Sequence, residues 1–144
     1  MFTLDERLGA DTFEVGTLTL SRLLLMNNKE FPWLILVPER SGMSELIDLP
    51  LSDRIVLMAE ITLVSHALKE VVECDKLNVG ALGNQVSQLH VHVIARFKED
   101  KAWPEPVWGK ISTPYTPADA KNFANKIRKH LSNHEEFTPI LHKE

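Results

Sequence analysis

The sequence predicts an α+β domain, with a mainly antiparallel sheet of about five strands and two principal helices. Three observations lead there. Two apolar runs, Leu23-Leu24-Leu25-Met26 and Trp33-Leu34-Ile35-Leu36-Val37, flank the turn pair Asn27-Asn28. Apolar residues then recur at three- and four-residue intervals between about 52 and 73, the period of a helix. An alternating stretch around residue 90 and a second helical stretch after Thr116 complete an order of strands, helix, strands, helix.

Each element has a local cause. Residues 3–8 suit one helical turn. Phe13, Val15, Leu18 and Leu20, interleaved with Thr12, Thr17 and Thr19, suit extended chain. Asn27-Asn28 closes the first apolar run because Asn tolerates left-handed backbone cheaply. Pro32 and Pro38 bracket the second run, and the short gap between the runs suits a hairpin with a longer loop. Ser52 reads as the N-cap of a helix whose apolar face is Ile55, Met58, Ile61, Leu63, Ala67, Leu68 and Val71. Residues 76–82 and 86–97 read as two more strands around the turn Gly83-Asn84. Thr116 and Pro117 form the N-cap and first position of a closing helix with the stripe Ala120, Phe123, Ile127 and Leu131. Cys74 reads as a buried helix-end residue.

Composition bounds the function. A chain of 144 residues with 44% hydrophobic and 25% charged residues is the size and make-up of one globular domain, taken as residues 1–144. A net charge of −4 supplies no basic field to hold nucleic acid. One cysteine rules out a disulfide framework within the chain. Residues 77–95 are uncharged, but Asn78, Asn84, Gln85, Ser87, Gln88, His90 and His92 fall inside them, which argues against a membrane span. The opening Met1-Phe2-Thr3-Leu4-Asp5-Glu6-Arg7 is charged early and lacks the apolar run of a secretory signal, so a cytoplasmic location is expected.

The chemistry concentrates in Gly83-Asn84-Gln85-Val86-Ser87-Gln88-Leu89-His90-Val91-His92-Val93-Ile94. On a strand, Gln88, His90 and His92 share one face, while Leu89, Val91 and Val93 share the other. Two imidazoles spaced this way can act as nucleophile and proton donor around one phosphoryl group. The preceding Gly80–Gln85 turn can gather backbone N–H groups for an anion. A metal site is the competing chemical reading. His90-x-His92 supplies two ligands, yet a catalytic zinc site usually takes three from the protein, and no spacing to His66, His130, His134 or His142 supplies a third. The plain alternative is a solvated strand face.

The segment resembles the histidine triad family of nucleotide hydrolases and transferases, whose motif is His-φ-His-φ-His-φ-φ with φ apolar. Aligned on the apolar spacing, Gln88 takes the first histidine position, His90 the second and His92 the third. The two apolar runs resemble the family's nucleoside-holding hairpin, and the helix at 52–73 its main helix. Trp103-Pro104 and Trp108-Gly109 resemble the Trp-Pro element of some members. Most of residues 10–110 is covered.

The resemblance implies a covalent nucleotidyl intermediate on His90, with His92 stabilising charge and assisting proton transfer, and no metal or cofactor. It implies that Asn27, or Asn28 by a one-residue slip, contacts the ribose, and that Gln85 contacts phosphate. Gln88 can hydrogen-bond a phosphate oxygen or orient His90, but it carries no proton at neutral pH. Trp33 stands where many members place another histidine, and either stacks on a base or packs. Trp103, Trp108 and Tyr115 read as a tucked surface loop, a flap over the leaving group or a dimer contact. Dinucleoside polyphosphates and nucleoside phosphoramidates are the implied substrates, and a homodimer the implied assembly. The Gln88 departure keeps a nucleotide-binding module with little or no catalysis as the alternative.

Overall fold

The computed structural model describes residues 1–141. Helix α1 (Glu6–Asp11) is capped by the Asp5 carboxylate, which accepts from the N–H groups of Arg7 and Leu8. Strands β1 (Thr12–Thr17), β2 (Ser21–Met26) and β3 (Trp33–Pro38) follow as an antiparallel meander. A 3-10 turn at Leu46–Asp48 leads into α2 (Leu51–Val72). Then come β4 (Lys76–Gly80), β5 (Val91–Arg96), α3 (Pro117–Leu131) and β6 (Thr138–Pro139). All pairings are antiparallel, and the six strands lie in the order β4-β5-β3-β2-β1-β6. The sixth strand is the two-residue β6 on Gly16 and Thr17, too short to leave a periodic signal.

The α+β reading therefore holds, with differences at element ends. Pro50, not Ser52, occupies the N-cap of α2; its fixed φ suits the helix entry, and no side chain caps it. The cap of α3 is as expected, with the Thr116 hydroxyl accepting from the Asp119 N–H and Pro117 first in the helix. The buried residues of α2 are Leu57, Glu60, Val64, Ala67 and Leu68, whereas Ile55 and Met58 are each 62% exposed. This helix is apolar on more than one face, so periodicity does not single out the buried one. Glu60 lies in the core because its Oε2 accepts the Leu20 N–H at 2.8 Å; burial pushes its carboxyl pKa up. Cys74 is partly buried against the core just beyond the helix.

Strand alternation divides the core in two. Leu89, Val91, Val93 and Ala95 face the helices together with Leu23, Leu25, Leu34 and Leu36. On the opposite face, Ile94 joins Trp33, Ile35, Val37 and Leu24. Among the described residues no long helix covers that face. Leu8 of α1 and Phe31, Ala102 and Val107 from loops pack there instead.

One buried cation organises this loop cover. Arg96, only 2% exposed, ends β5 on the face opposite the two long helices. Its guanidinium donates to both Asp100 carboxylate oxygens (2.8 and 3.1 Å), to Asn78 Oδ1 and to the Glu105 carbonyl. The rings of Phe31 and Trp103 flank it. Burial alone would raise the Asp100 pKa. Arg96 and the N–H groups of Phe97, Ala102 and Trp103 overcome that and bring it down to about 2. Its stabilising contribution is thus complete above the ordinary value of 3.8 and is lost as pH falls through about 2. Asp100→Ala strands the guanidinium, and the expected loss is about 3–5 kcal/mol, read from the urea midpoint at pH 7. A loss under ~1 kcal/mol would show that the pair does not hold the loop.

Candidate active site

The motif strand is shorter than the sequence suggests. Residues 86–90 are loop, and β5 begins at Val91. The ladder with β3 ends at Leu36↔Val91, and in this register Pro38 would face Leu89. Proline has no N–H to give the ladder, and the Leu89 N–H turns instead to the Met43 carbonyl. His90 therefore precedes the strand and His92 lies within it, flanked by Ile35 and Gly80. The two rings still meet, with centroids 4.9 Å apart, and are 7% and 4% exposed.

Their hydrogen-bond partners fix their protons. His90 Nδ1 lies 2.7 Å from the Gln88 carbonyl oxygen, which only accepts, so Nδ1 carries the proton and Nε2 the free lone pair. His92 Nδ1 receives the Trp33 indole N–H at 2.9 Å, a group that only donates, so in the neutral ring the proton sits on Nε2. Trp33 and Trp108 meet the His92 ring edge-on at 5.6 and 5.3 Å. Burial, and secondarily the neighbouring His90, lower the His92 pKa from 6.5 to about 4. At neutral pH His92 is an uncharged hydrogen-bond donor.

Both histidines line a cavity of about 410 Å³ on the face opposite the two long helices. Trp33, Met26 and Asn28 of the β2–β3 hairpin line it with them. The Leu82–Val86 turn, α1 through Arg7, Leu8 and Asp11, and the 107–112 loop through Trp108 and Lys110 supply the remaining walls. Gly83 adopts φ of 73° in that turn, a conformation that favours glycine.

The expected ligand contacts divide. Gln85 lines this cavity; Gln88 and Asn27 do not. Gln88 turns to the N-terminal segment, accepting the Asp5 N–H at 2.9 Å and donating to the Thr3 carbonyl at 2.8 Å. It lines a second cavity of about 190 Å³, which shares His90 with the first. The single shared strand face expected for Gln88, His90 and His92 therefore fails at Gln88, since the strand that would impose it starts three residues later. Asn27 Oδ1 accepts the Tyr115 N–H, and Asn28 is the hairpin amide at the cavity, although buried. Asn28 Oδ1 accepts from Glu30 and Thr113, and its Nδ2 donates to the Ile111 carbonyl. Of the three later aromatics only Trp108 lines the cavity; Trp103 lies by Arg96, and Tyr115 stacks on Phe123. Among the described residues no group of three or more His, Cys, Asp or Glu is placed to hold a metal ion. His130 instead faces Glu70 and His134 faces Glu136, while His142 lies outside the described residues.

Sequence reasoning missed α1 as a wall and the Trp33–His92 bond. The second had a signal: strand alternation places Trp33 with Ile35, and Ile35 pairs with His92. The first had none, because nothing local links residues 3–11 to residue 88.

The HIT domain profile matches residues 7–99. The chain belongs to the histidine triad family. A histidine triad protein of Sinorhizobium meliloti 1021 shares 46% identity over 91% of this chain and 98% of its own, with a TM-score of 0.89. One from Bradyrhizobium japonicum shares 46% over 90% and 97%, at 0.87. A third, from Marinobacter aquaeolei VT8, shares 43% over 92% and 98%, at 0.89. No curated protein matches. Membership of the histidine triad family supports a nucleotide-binding or a hydrolase/transferase role. Among the described residues no helix is long and apolar enough to cross a membrane.

The His92 environment is directly measurable. Nitrogen-15 NMR is expected to show Nδ1 as the unprotonated nitrogen at pH 7 and a ring midpoint near 4. Between 6.5 and about 4 the unfolded chain takes up a proton that the folded site refuses, so this group lowers stability as pH falls through that window. A midpoint near 6.5 would contradict the buried neutral ring.

Proposed function

We propose that this protein is a nucleotide hydrolase or nucleotidyl transferase acting at the α-phosphate of a nucleoside phosphate conjugate, with His90 as nucleophile. The observation that carries this reading is the tautomer of His90, whose Nδ1–H is held by a backbone carbonyl so that Nε2 keeps its lone pair. That lone pair forms an N–P bond while the bond from the α-phosphorus to the leaving group breaks, and the leaving group departs with the electron pair. Water then attacks phosphorus and the N–P pair returns to Nε2. The proton of water passes to solvent, and a nucleoside monophosphate is released. His92 donates Nε2–H to a phosphoryl oxygen, and Gln85 and the Gly83 turn offer further donors. No step calls for a metal or cofactor.

His90→Ala is expected to lower release of nucleoside monophosphate at least about a thousandfold while nucleotide binding survives. Mass spectrometry of a rapidly quenched wild-type reaction should find the nucleotide on His90. Equal turnover by the variant would refute the assignment. Affinity without turnover or adduct would favour a binding module, the reading that the outward turn of Gln88 supports.

The expected homodimer has a candidate surface. Ile47 in the 3-10 turn and Leu51, Ile55 and Met58 at the start of α2 are all more than half exposed, three or four residues apart. β4 forms an open edge of the sheet. A second copy covering this apolar stripe accounts for its exposure. Sedimentation is expected to give twice the chain mass, with the double variant Ile55→Glu, Met58→Glu sedimenting as a monomer. A monomeric wild type would remove the proposal.

A further inference from the structure

The amide at position 88 is engaged away from the cavity. Its donor and acceptor bridge the Thr3 carbonyl and the Asp5 N–H. Asp5 in turn caps α1, and Leu8 anchors α1 in the core of the face opposite the two long helices. A primary amide presents a donor and an acceptor side by side, which two backbone groups two residues apart require. The result is a wall formed by α1, with Arg7 at the cavity.

The cavity's charged lining, apart from the histidines, is Arg7, Asp11 and Lys110. Lys110 is tied to Glu105 at 2.8 Å. Among the described residues the Arg7 guanidinium has no ion-pair or hydrogen-bond partner, and Asp11, one turn along, does not pair with it. An unpaired guanidinium on the wall of the cavity that holds a nucleophilic imidazole suits the phosphate of a departing group.

Resting on the nucleotidyl-transfer reading above, we infer that Gln88 is a positioning residue that holds α1 in place, so that Arg7 binds an anionic phosphate leaving group. The substrate class is then a dinucleoside polyphosphate rather than a nucleoside phosphoramidate. The leaving-group chemistry agrees. A phosphate departs with its electron pair as an anion, whereas an amine must gain a proton as the P–N bond breaks. Of the imidazoles that could give one, the first motif position has none, and His92 is neutral.

The test compares wild type, Arg7→Gln, Arg7→Lys and Gln88→Ala on diadenosine tetraphosphate and adenosine 5′-phosphoramidate. Wild type is expected to prefer the polyphosphate. Arg7→Gln should cut the kcat/KM ratio of the two at least about tenfold, chiefly through KM for the polyphosphate, and Arg7→Lys should restore part of it. Gln88→Ala should lower the same ratio and speed hydrogen exchange at the Asp5 amide at least about tenfold. An unchanged ratio in Arg7→Gln, or unchanged exchange in Gln88→Ala, would overturn the inference. Calorimetry with AMP and ATP separates the two readings, since it needs no turnover. Tighter ATP binding that disappears in Arg7→Gln supports the Arg7 contact even if no substrate is cleaved, which would count against the nucleotidyl-transfer reading alone. Equal AMP and ATP affinity in wild type would overturn the inference by itself.

Discussion

A neutral imidazole has two nitrogens and one proton to place between them. Everything the pair at 90 and 92 can do follows from where that proton sits. Here neither choice is left to solvent. A carbonyl that cannot donate faces one ring, and an indole N–H that cannot accept faces the other. The first ring is left with a basic nitrogen and the second with a donor, so two identical side chains take opposite roles. Burial keeps the second from charging, because an imidazolium there would lose its hydration beside another ring.

That arrangement depends on covering a sheet face that has no long helix over it. β5 is buried along its whole length, with a helix-packed side and a side closed only by loops and α1. Two polar devices tie those pieces down. Arg96 gathers the chain from Asp100 to Glu105 against the strand end, and the segment it organises leads on to Trp108 above His92. Gln88 fastens the N-terminal segment from the other side. A buried guanidinium held by four hydrogen bonds is rigid, and rigidity is what a ring contact near 5 Å needs.

Much of this was legible in the residues. The hairpin, the α2 region and the cap of α3 follow from turn chemistry and periodicity, and the rings of His90 and His92 meet as expected although only His92 lies on the strand. The failures have physical causes. Pro38 stopped the ladder early, which freed residue 88 from the strand face. The face of α2 was misjudged because its apolar residues surround the helix, with Glu60 buried and Ile55 and Met58 outside. The hairpin amide at the cavity is Asn28 rather than Asn27, a slip that a two-residue Asn pair cannot resolve from sequence. Arg96 was visible as a charge on the strand face it shares with His92 and Ile94, but its partners lie in a loop whose path only tertiary packing sets.

The tryptophans carry one more implication. The chain has three, and two of them, Trp33 and Trp108, are in ring contact with each other and with His92. The third, Trp103, is partly buried with its ring against the Arg96 guanidinium. Two of the three chromophores behind this protein's ultraviolet emission thus border the His92 ring. Protonation of that ring, or arrival of a ligand against it, writes itself into the quantum yield, so the fold supplies its own optical readout of the site without an added label.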